Sequence, residues 1–355
     1  MKKILALLLT LITALSLFTM ACTNPNDDTD TDGSTEDEVV EVVHPDNIRG
    51  ETDIVYTDHG NGTVTFGMYP QSKVTDTSIL SVLNTKKGTL PTANAPGLWT
   101  AQDFVNVDNN HDNTDYPDWM FFMDVEYLGN YYRAVYFTEY RLYNPVRSTA
   151  KYQQRNGYEI NTVYWFKYEP ILWQVLTTKT DGSKFLFCDM AIDCVPFDND
   201  GKCDNDYSKS TGRKFITENF LYYAFTKAEI AMIPTVEVDN SGRSTGEFGN
   251  VCACDNTFDK VFMPSIWELI EPAYGFNTDG KAADNKRAKY VTDYGISQGA
   301  ITYTRTNGKM PTSYSTRSPN PIPRRTRFIG NNGTYGEFDA CVTWGFVPCI
   351  YVKAN

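Results

Sequence analysis

The stretch YWFKYEPILWQVL, residues 164–176, is the densest run of aromatic residues in the chain. Aromatic side chains favour the pleated, half-buried surface of a β-strand. Pro170 interrupts the run, and proline has no N–H to donate to a strand ladder. We therefore predict a core strand in two segments, 164–168 and 171–177, with Pro170 at a bulge or an edge. The stretch contains no catalytic signature.

Composition and charge narrow the class of protein. Aromatic residues make up 14% of the 355 residues, which favours strands, and the chain is long enough to bury a substantial core. The net charge is −12, but residues 23–50 alone contain nine acidic residues against one arginine, so the rest is only mildly acidic. The only basic group is Arg324, Arg325 and Arg327. Nucleic-acid binding, which needs a basic stripe, is therefore not expected.

Histidine is nearly absent. His44, His59 and His111 are the three histidines, and residues 112–355 contain none. A Ser/His/Asp or Cys/His nucleophilic site would have to take its base from His59 or His111. The sequence also disfavours a histidine-rich zinc site.

The N-terminus carries a targeting signal. Lys2 and Lys3 precede an apolar run over 4–18, and Cys22 follows shortly after it. This pattern is typical of a secretory signal, because the run is shorter than the roughly 20 residues of a membrane span. The stretch resembles a bacterial lipoprotein signal, with Thr19 where leucine usually stands. The resemblance implies a lipid on Cys22; the alternative is an ordinary signal peptide with a stray cysteine.

The sequence predicts three regions: a signal peptide over 1–22, a tether over 23–50 and a single folded domain over 51–355. The tether is acidic and poor in core-forming residues, so we expect it to be disordered. These regions predict an extracytoplasmic protein that is anchored to a bacterial membrane by lipid and displayed at the cell surface.

Strand-like and helix-like patterns alternate within the domain. The predicted elements are strands over 63–66, 261–263, 301–304, 341–343 and 346–352, hairpins around Gly129–Asn130, Asp181–Gly182 and 330–333, a helix over 76–83, a helix capped by Ser210 or Thr211, capping boxes Thr226/Glu229 and Ser265/Glu268, and a loop over 314–319. These patterns indicate an α+β fold with irregular antiparallel sheets, a few short helices and long loops.

Two acidic loops are candidate calcium sites, since carboxylate oxygens are the ligands that calcium prefers. The first contains Asp108, Asp112 and Asp115, and the second contains Asp198, Asp200 and Asp204. The alternative is ordinary turn material, because Asn and Asp are common in turns without any metal. No cofactor is predicted from these residues, with calcium in the two loops as the alternative.

Six segments together resemble the bacterial DUF6273 domain, in the same order along residues 60–352. They are FGMYPQSKV (66–74), YWFKYEPILWQVL (164–176), the helix pair with Arg213, Asn219, Phe220, Ala224, Phe225 and Glu229, VFMPSIWEL (261–269), TRSP (316–319) and GFVPCIYV (345–352). The closing pattern is similar to the formylglycine-generating, sulfatase-modifying domains. That likeness implies a C-type-lectin-like α+β fold, although Val347 stands where an arginine is usual.

Seven cysteines remain after Cys22: Cys188, Cys194, Cys203, Cys252, Cys254, Cys341 and Cys349. Outside the cell we expect most of them to form disulfides, with at least one left over because the number is odd. The sulfatase-modifying resemblance implies a copper-binding pair late in the chain, for which Cys341 and Cys349 are candidates by location. The alternative is a structural disulfide or buried thiols.

The function predicted from the sequence is a non-catalytic ligand-binding or adhesion module for a glycan or a peptide. Candidate stacking residues are the loop aromatics Trp99, Tyr116, Trp119 and Tyr314, and candidate polar contacts are Arg317 and Arg327. Two alternatives remain open: a cysteine/copper oxidase similar to the formylglycine-generating enzymes, and a purely structural envelope protein.

Overall fold

The computed structural model describes residues 47–92, 95–102, 119–199, 204–247 and 249–354. One compact unit spans His44–Asn355. Asn47 and Arg49 precede the domain boundary expected at residue 50, yet they contact the fold. The Asn47 side chain donates to the carbonyl of Tyr222, and the buried Arg49 guanidinium pairs with Glu229. Residues 47 and 49, at the end of the segment predicted as a tether, therefore contact the folded domain.

Strands dominate the described residues. The N-terminal half contains β1 Tyr56–Asp58, β2 Thr63–Lys73, β3 Thr100–Ala101, β4 Met120–Tyr127, β5 Asn130–Phe137, β6 Tyr164–Thr178, β7 Lys184–Cys188 and β8 Asp193–Pro196. The C-terminal half contains β9 Val236–Val238, β10 Thr257–Asp259, β11 Val261–Phe262, β12 Lys289–Val291, β13 Met310–Thr312, β14 Tyr314–Pro319, β15 Arg325–Ile329, β16 Tyr335–Asp339, β17 Thr343–Phe346 and β18 Cys349–Val352.

The helices are short. They are α1 Thr77–Lys86, α2 Tyr152–Arg155, α3 Thr211–Phe215, α4 Leu221–Ala224, α5 Lys227–Ala231 and α6 Asp293–Ser297, with a π-turn over Ile216–Phe220 that joins α3 to α4. Single 3-10 turns cover Tyr207–Lys209, Gly242–Thr245, Glu268–Ile270 and Pro272–Tyr274. Within the described ranges, no helix combines the length and apolar character needed to cross a bilayer.

The aromatic stretch quoted first forms β6, the longest strand of a nine-stranded sheet. β2 pairs with β6 from Phe166 to Gln174, so the strand continues through Pro170. β5 pairs with β6 over Tyr164–Lys167 and β7 pairs from Trp173 onwards, which leaves Pro170 in the interval between these two partners. Proline is tolerated there because that interval requires no N–H donor.

Pro170 was expected at a bulge or an edge, and the bulge in this pairing lies in β2. The pairing of β2 with β6 shifts between Thr65 and Met68. Gly67, inside that shift, has φ +70°, and a Cβ atom there would lie 2.5 Å from the Phe225 ring. A side chain at this position is therefore excluded both by conformation and by space.

The second-largest sheet has five strands in the order β16-β15-β14-β17-β8. Its β14 occupies residues that the sequence assigned to a loop, and all six of them are buried. The expected strand over 301–304 is wrong, since these residues form no strand. Two small antiparallel pairs, β9 with β10 and β12 with β13, complete the β structure of the described chain.

Two predicted helix caps, Ser210 and Thr226, are confirmed. Asp76 accepts hydrogen bonds from the first N–H groups of α1, Ser210 caps α3, and Thr226 forms a capping box with Glu229 at α5. Ser265 and Glu268 also bond reciprocally, but only one 3-10 turn follows them. A cap satisfies the first N–H groups of a helix without fixing its length.

The main core lies between the large sheet and the helical segment, and includes Phe66, Trp173, Phe220, Phe225 and Phe346. A second core cluster under α1 contains Leu83, Trp99, Phe121, Met123, Tyr132, Ala134, Tyr136 and Trp165. The fold is thus a mixed helix-and-sheet protein with several antiparallel sheets and few helices, which agrees with the α+β class.

Candidate functional site

Five aromatic residues gather around Trp344 on β17, and together the six form what we call the Trp344 cluster: Tyr143, Tyr152, Tyr303, Phe328, Phe338 and Trp344. The Phe328 ring stacks on Trp344 with centroids 4.4 Å apart and an interplanar angle of 16°. Tyr143 and Phe338 meet the indole edge-on, at 5.4 and 6.2 Å. Such stacked and edge-to-face pairs stabilise one fixed arrangement of rings.

The β15–β16 hairpin positions one wall of the cluster. Phe328 lies opposite Gly336 in the strand register. A Cβ atom at Gly336 would lie 2.7 Å from the Phe328 ring, so the ring occupies the space that a side chain would need. Glycine at this position lets Phe328 lie flat over the partner strand and reach Trp344.

The loop after β5 supplies the opposite wall. Tyr143 contacts Tyr152 edge-on at 5.0 Å. The loop is fixed to the end of β16, because Asn144 donates to Oδ2 of Asp339 at 3.0 Å and Arg147 forms an ion pair with the same carboxylate at 2.7 Å. The second wall is therefore tied to the hairpin that carries the first.

The exposed fraction of the side chains increases from Trp344, at the base of the cluster, to Phe338, at its rim. Trp344 is 3% exposed, whereas Tyr143, Tyr152, Tyr303 and Phe328 are half-buried and Phe338 is 39% exposed. The guanidinium of Arg155 lies 5.0 Å from the Tyr152 ring centroid at the rim. Aromatic and arginine side chains in such a setting are the residue types enriched at binding hot spots.

Two polar atoms near the base find no hydrogen-bond partner among the described residues, namely Nε1 of Trp344 and Oγ of Ser315. Ser315 is paired with Phe328 across β14 and β15. A buried donor without a partner costs about 1–3 kcal/mol, which a polar ligand or a water molecule would offset. Burial raises the pKa of Tyr143 well above its ordinary value, so its hydroxyl stays a hydrogen-bond donor.

The structure places the predicted stacking residues elsewhere. Trp99 is 3% exposed and lies in the second core cluster, Trp119 is 9% exposed in the main core, and the fully buried Tyr314 donates to the carbonyl of Arg287. The expected exposure of these three rings is wrong, because each fills core volume. Tyr116 lies outside the described residues.

The two candidate arginines hold the chain together. Arg317 is 3% exposed, and it donates to both carboxylate oxygens of Glu268, at 2.7 and 2.9 Å, and to the carbonyl of Met263. Arg327 bridges Glu247 and Glu337. Their guanidinium groups are thus engaged with carboxylates of the protein itself. Neither arginine belongs to the Trp344 cluster.

Of the candidate calcium ligands, the structure describes Asp198 and Asp204. Asp198 is 2% exposed, and its carboxylate accepts the backbone N–H groups of Asp204 and Thr211, at 2.8 and 3.2 Å. No three His, Cys, Asp or Glu side chains in the described ranges form a metal-binding group. Asp108, Asp112, Asp115 and Asp200 lie outside those ranges.

The expected disulfide pairing is wrong for the following described cysteines, which are free thiols: Cys188, Cys194, Cys252, Cys254 and Cys349. Both candidate copper ligands, Cys341 and Cys349, are buried. Burial, together with the nearby Glu268 carboxylate, raises the pKa of Cys349 well above its ordinary value. A thiol held protonated in this way is poorly suited to ligate a metal as thiolate.

The fold and the cluster define a mixed helix-and-sheet domain with a partly exposed aromatic surface. Residues 181–354 match the family model of DUF6273, a domain of unknown function, so the C-terminal half of the chain carries a DUF6273 domain. The quoted segments at 66–74 and 164–176 precede the matched residues. No curated protein and no solved structure matches the chain.

The Trp344 cluster was not predicted from the sequence, because its rings come from four separate segments. One local signal was available: the turn at 330–333 predicts a hairpin, and the hairpin register sets Phe328 opposite Gly336. An aromatic residue facing glycine across two strands indicates a ring that covers the partner strand.

Proposed function

We propose that this protein is a non-catalytic carbohydrate-binding module, and that the Trp344 cluster forms the binding surface. The observation that carries the proposal is the graded exposure of fixed aromatic rings from Trp344 to Phe338. Ring faces offer apolar area to the C–H face of a sugar, while tyrosine hydroxyls donate hydrogen bonds to its oxygen atoms. The proposed C-type-lectin-like relationship of the fold agrees with this role.

We further propose that a lipid on Cys22 anchors the module to a bacterial membrane and displays it at the cell surface. The basic start, the apolar run over 4–18 and Cys22 support the anchor. Metabolic labelling with palmitate tests it: the wild type incorporates label and the variant Cys22→Ser does not. Label in the variant, or none in the wild type, contradicts the anchor.

A glycan array, followed by calorimetry with the best glycan, tests the binding surface. We expect Phe338→Ala and Tyr152→Ala each to weaken binding tenfold or more, since truncating a hot-spot ring costs about 2 kcal/mol. The matched control is Phe258→Ala, because Phe258 is 68% exposed on β10 and lies outside the cluster. Equal losses in all three variants would overturn the assignment.

A peptide array provides the second arm. Signal on peptides that depends on Phe338, with none on glycans, would replace the carbohydrate by a peptide as ligand. No signal on either array removes the binding function and favours a structural role in the envelope.

A further inference from the structure

A cleft of about 190 Å³ opens between the large sheet and the turn before β13. The end of β2, the middle of β6, the start of α6 and the loop over 305–310 line this cleft. The cleft shares no residue with the Trp344 cluster. Pockets for drug-sized ligands measure about 300–1,000 Å³, so this cleft suits a smaller molecule.

Four charged side chains line the cleft, two of each sign. Glu169 and Asp293 are half-buried acids, whereas Arg305 and Lys309 are exposed bases. None of the four forms an ion pair within 4.0 Å, either with one another or with any other described residue. Opposite charges thus face the same space without neutralising each other.

The two acids are held in place by hydrogen bonds of their own. Oδ2 of Asp293 accepts the backbone N–H of Lys73 at 3.0 Å, and Oε2 of Glu169 accepts the Ser72 hydroxyl at 2.8 Å. Each carboxylate is therefore oriented by its neighbours on β2 while its second oxygen forms no described hydrogen bond. Oriented carboxylates of this kind form strong hydrogen bonds with an ammonium group.

The two bases lie on a tight hairpin turn. Thr306 and Lys309 exchange both backbone hydrogen bonds, and the residues between them, Asn307 and Gly308, have φ values of 50° and 77°. Arg305 also donates from Nη1 to the Gly308 carbonyl at 2.5 Å. A two-residue turn with positive φ at both positions is a rigid connection, so it fixes the backbone from which the two bases extend beside the cleft.

The remaining lining is partly apolar, with Met190, Val291 and Met310 as the apolar members. This surface suits a short aliphatic side chain or a methyl group between the two charged ends. Sheltered apolar surface next to a few fixed polar groups is the usual composition of a ligand site.

We propose that the cleft binds a small zwitterion, namely a short peptide or an amino acid with a free α-ammonium and a free α-carboxylate. The ammonium lies against Glu169 and Asp293, and the carboxylate lies against Arg305 and Lys309. A ligand with only an ammonium group, or only a carboxylate, would leave one pair of charged side chains without a partner. The cleft therefore recognises a molecule that has both free termini. This site is independent of the carbohydrate surface proposed above.

Calorimetry with L-alanyl-L-alanine tests the proposal against two blocked relatives, the N-acetylated dipeptide and the dipeptide amide. We expect the free dipeptide to bind and each blocked form to bind at least about tenfold more weakly, since each has lost one charge-assisted contact. Raising the salt concentration should also weaken binding, because Arg305 and Lys309 are exposed. Equal binding of the free and blocked dipeptides, or no binding of any of them at millimolar concentration, overturns the proposal.

Two charge-removing variants locate the ligand. Lys309→Gln should weaken binding of the free dipeptide about tenfold and bring its affinity close to that of the dipeptide amide. Glu169→Gln, which keeps an acceptor for Ser72, should do the same relative to the N-acetylated form. The matched control is Lys214→Gln on α3, whose side chain is 71% exposed and outside the cleft. If the control weakens binding as much as Lys309→Gln, the cleft is not the site.

Discussion

Tyr69 donates a hydrogen bond of 2.5 Å to Oδ2 of Asp193 inside the main core. Asp193 is fully buried, and burial raises the pKa of its carboxyl to about 6 despite the hydrogen bonds from Tyr69 and from the Cys194 N–H, which lower it. Arg141 and Arg133 lower it further. A buried acid with a raised pKa makes the free energy of unfolding depend on pH.

The sign of this dependence follows from the two pKa values of Asp193. The unfolded carboxyl has its ordinary pKa of about 3.9, so between about pH 4 and 6 the folded state holds the proton more tightly. The contribution of Asp193 to stability is therefore greatest below pH 4, and it falls by about 3 kcal/mol as pH rises from 4 through 6. Asp193→Asn should remove this slope in urea unfolding measured from pH 4 to 7. An unchanged slope, or an equal effect of the exposed control Asp255→Asn, contradicts the assignment.

Lys289 is a buried lysine without a hydrogen-bond acceptor among the described residues. Its Nζ lies 3.9 Å from the Phe187 ring centroid, and burial lowers its pKa to about 8 although Asp189 nearby raises it. Above about pH 10.5 both states are neutral, and as pH falls towards 8 the unfolded state gains a proton that the folded state lacks. Stability is lost over that range.

Lys289→Met should therefore stabilise the protein by about 1–3 kcal/mol at pH 7, because it removes the cost of burying the amine. Thermal unfolding at pH 7 and pH 10 measures the effect, and the gain should shrink at the higher pH. Lys214→Met, at an exposed position, should change little. A destabilised Lys289→Met protein means that the amine has a partner.

Trp173 on β6 is fully buried, and its Nε1 donates to the carbonyl of Phe66 at 2.8 Å. Trp173→Ala should destabilise the fold by about 3–5 kcal/mol, because it leaves a cavity and an unpaired carbonyl. The preceding residue, Leu172, is 41% exposed, so Leu172→Ala should cost much less. Chemical denaturation measures both. A folded Trp173→Ala protein of nearly wild-type stability would show that the ring is not a core element.

The buried Arg317–Glu268 pair joins β14 to the 3-10 turn after β11. Arg317→Ala should cost about 3–5 kcal/mol, because it leaves the Glu268 carboxylate uncompensated in a largely buried site. Arg327→Ala is the matched comparison, since both of its carboxylate partners are about one-third exposed, and it should cost about 1 kcal/mol or less. Equal losses in the two variants contradict the structural role assigned to Arg317.

Local patterns predicted the regular elements well and the exposure of side chains poorly. The Gly129 hairpin, the Thr226 capping box and the strand around Trp173 each depend on residues close in sequence, and the structure confirms all three. Trp99 and Tyr314 lie in segments with the polarity of loops. Their burial results from packing against distant elements, which a single sequence does not record.

The candidate surface required the same long-range information. Tyr143 and Trp344 are about two hundred positions apart, yet their rings meet edge-on. Contacts between residues so far apart in the sequence depend on the order of strands in the sheets, and composition does not predict that order. The DUF6273 resemblance was visible in the sequence, and the family match confirms it over 181–354.

The pairing of β7 with β6 has a practical consequence for dividing the chain. The family match begins at residue 181, whereas the partner of β7 is Trp173–Thr178, just before it. A fragment that starts at 181 would lack β6 and leave one side of β7 with unsatisfied backbone groups, which invites aggregation. Expression of the DUF6273 region as a soluble piece should therefore require the strands before it, because the matched region is shorter than the compact unit that contains it.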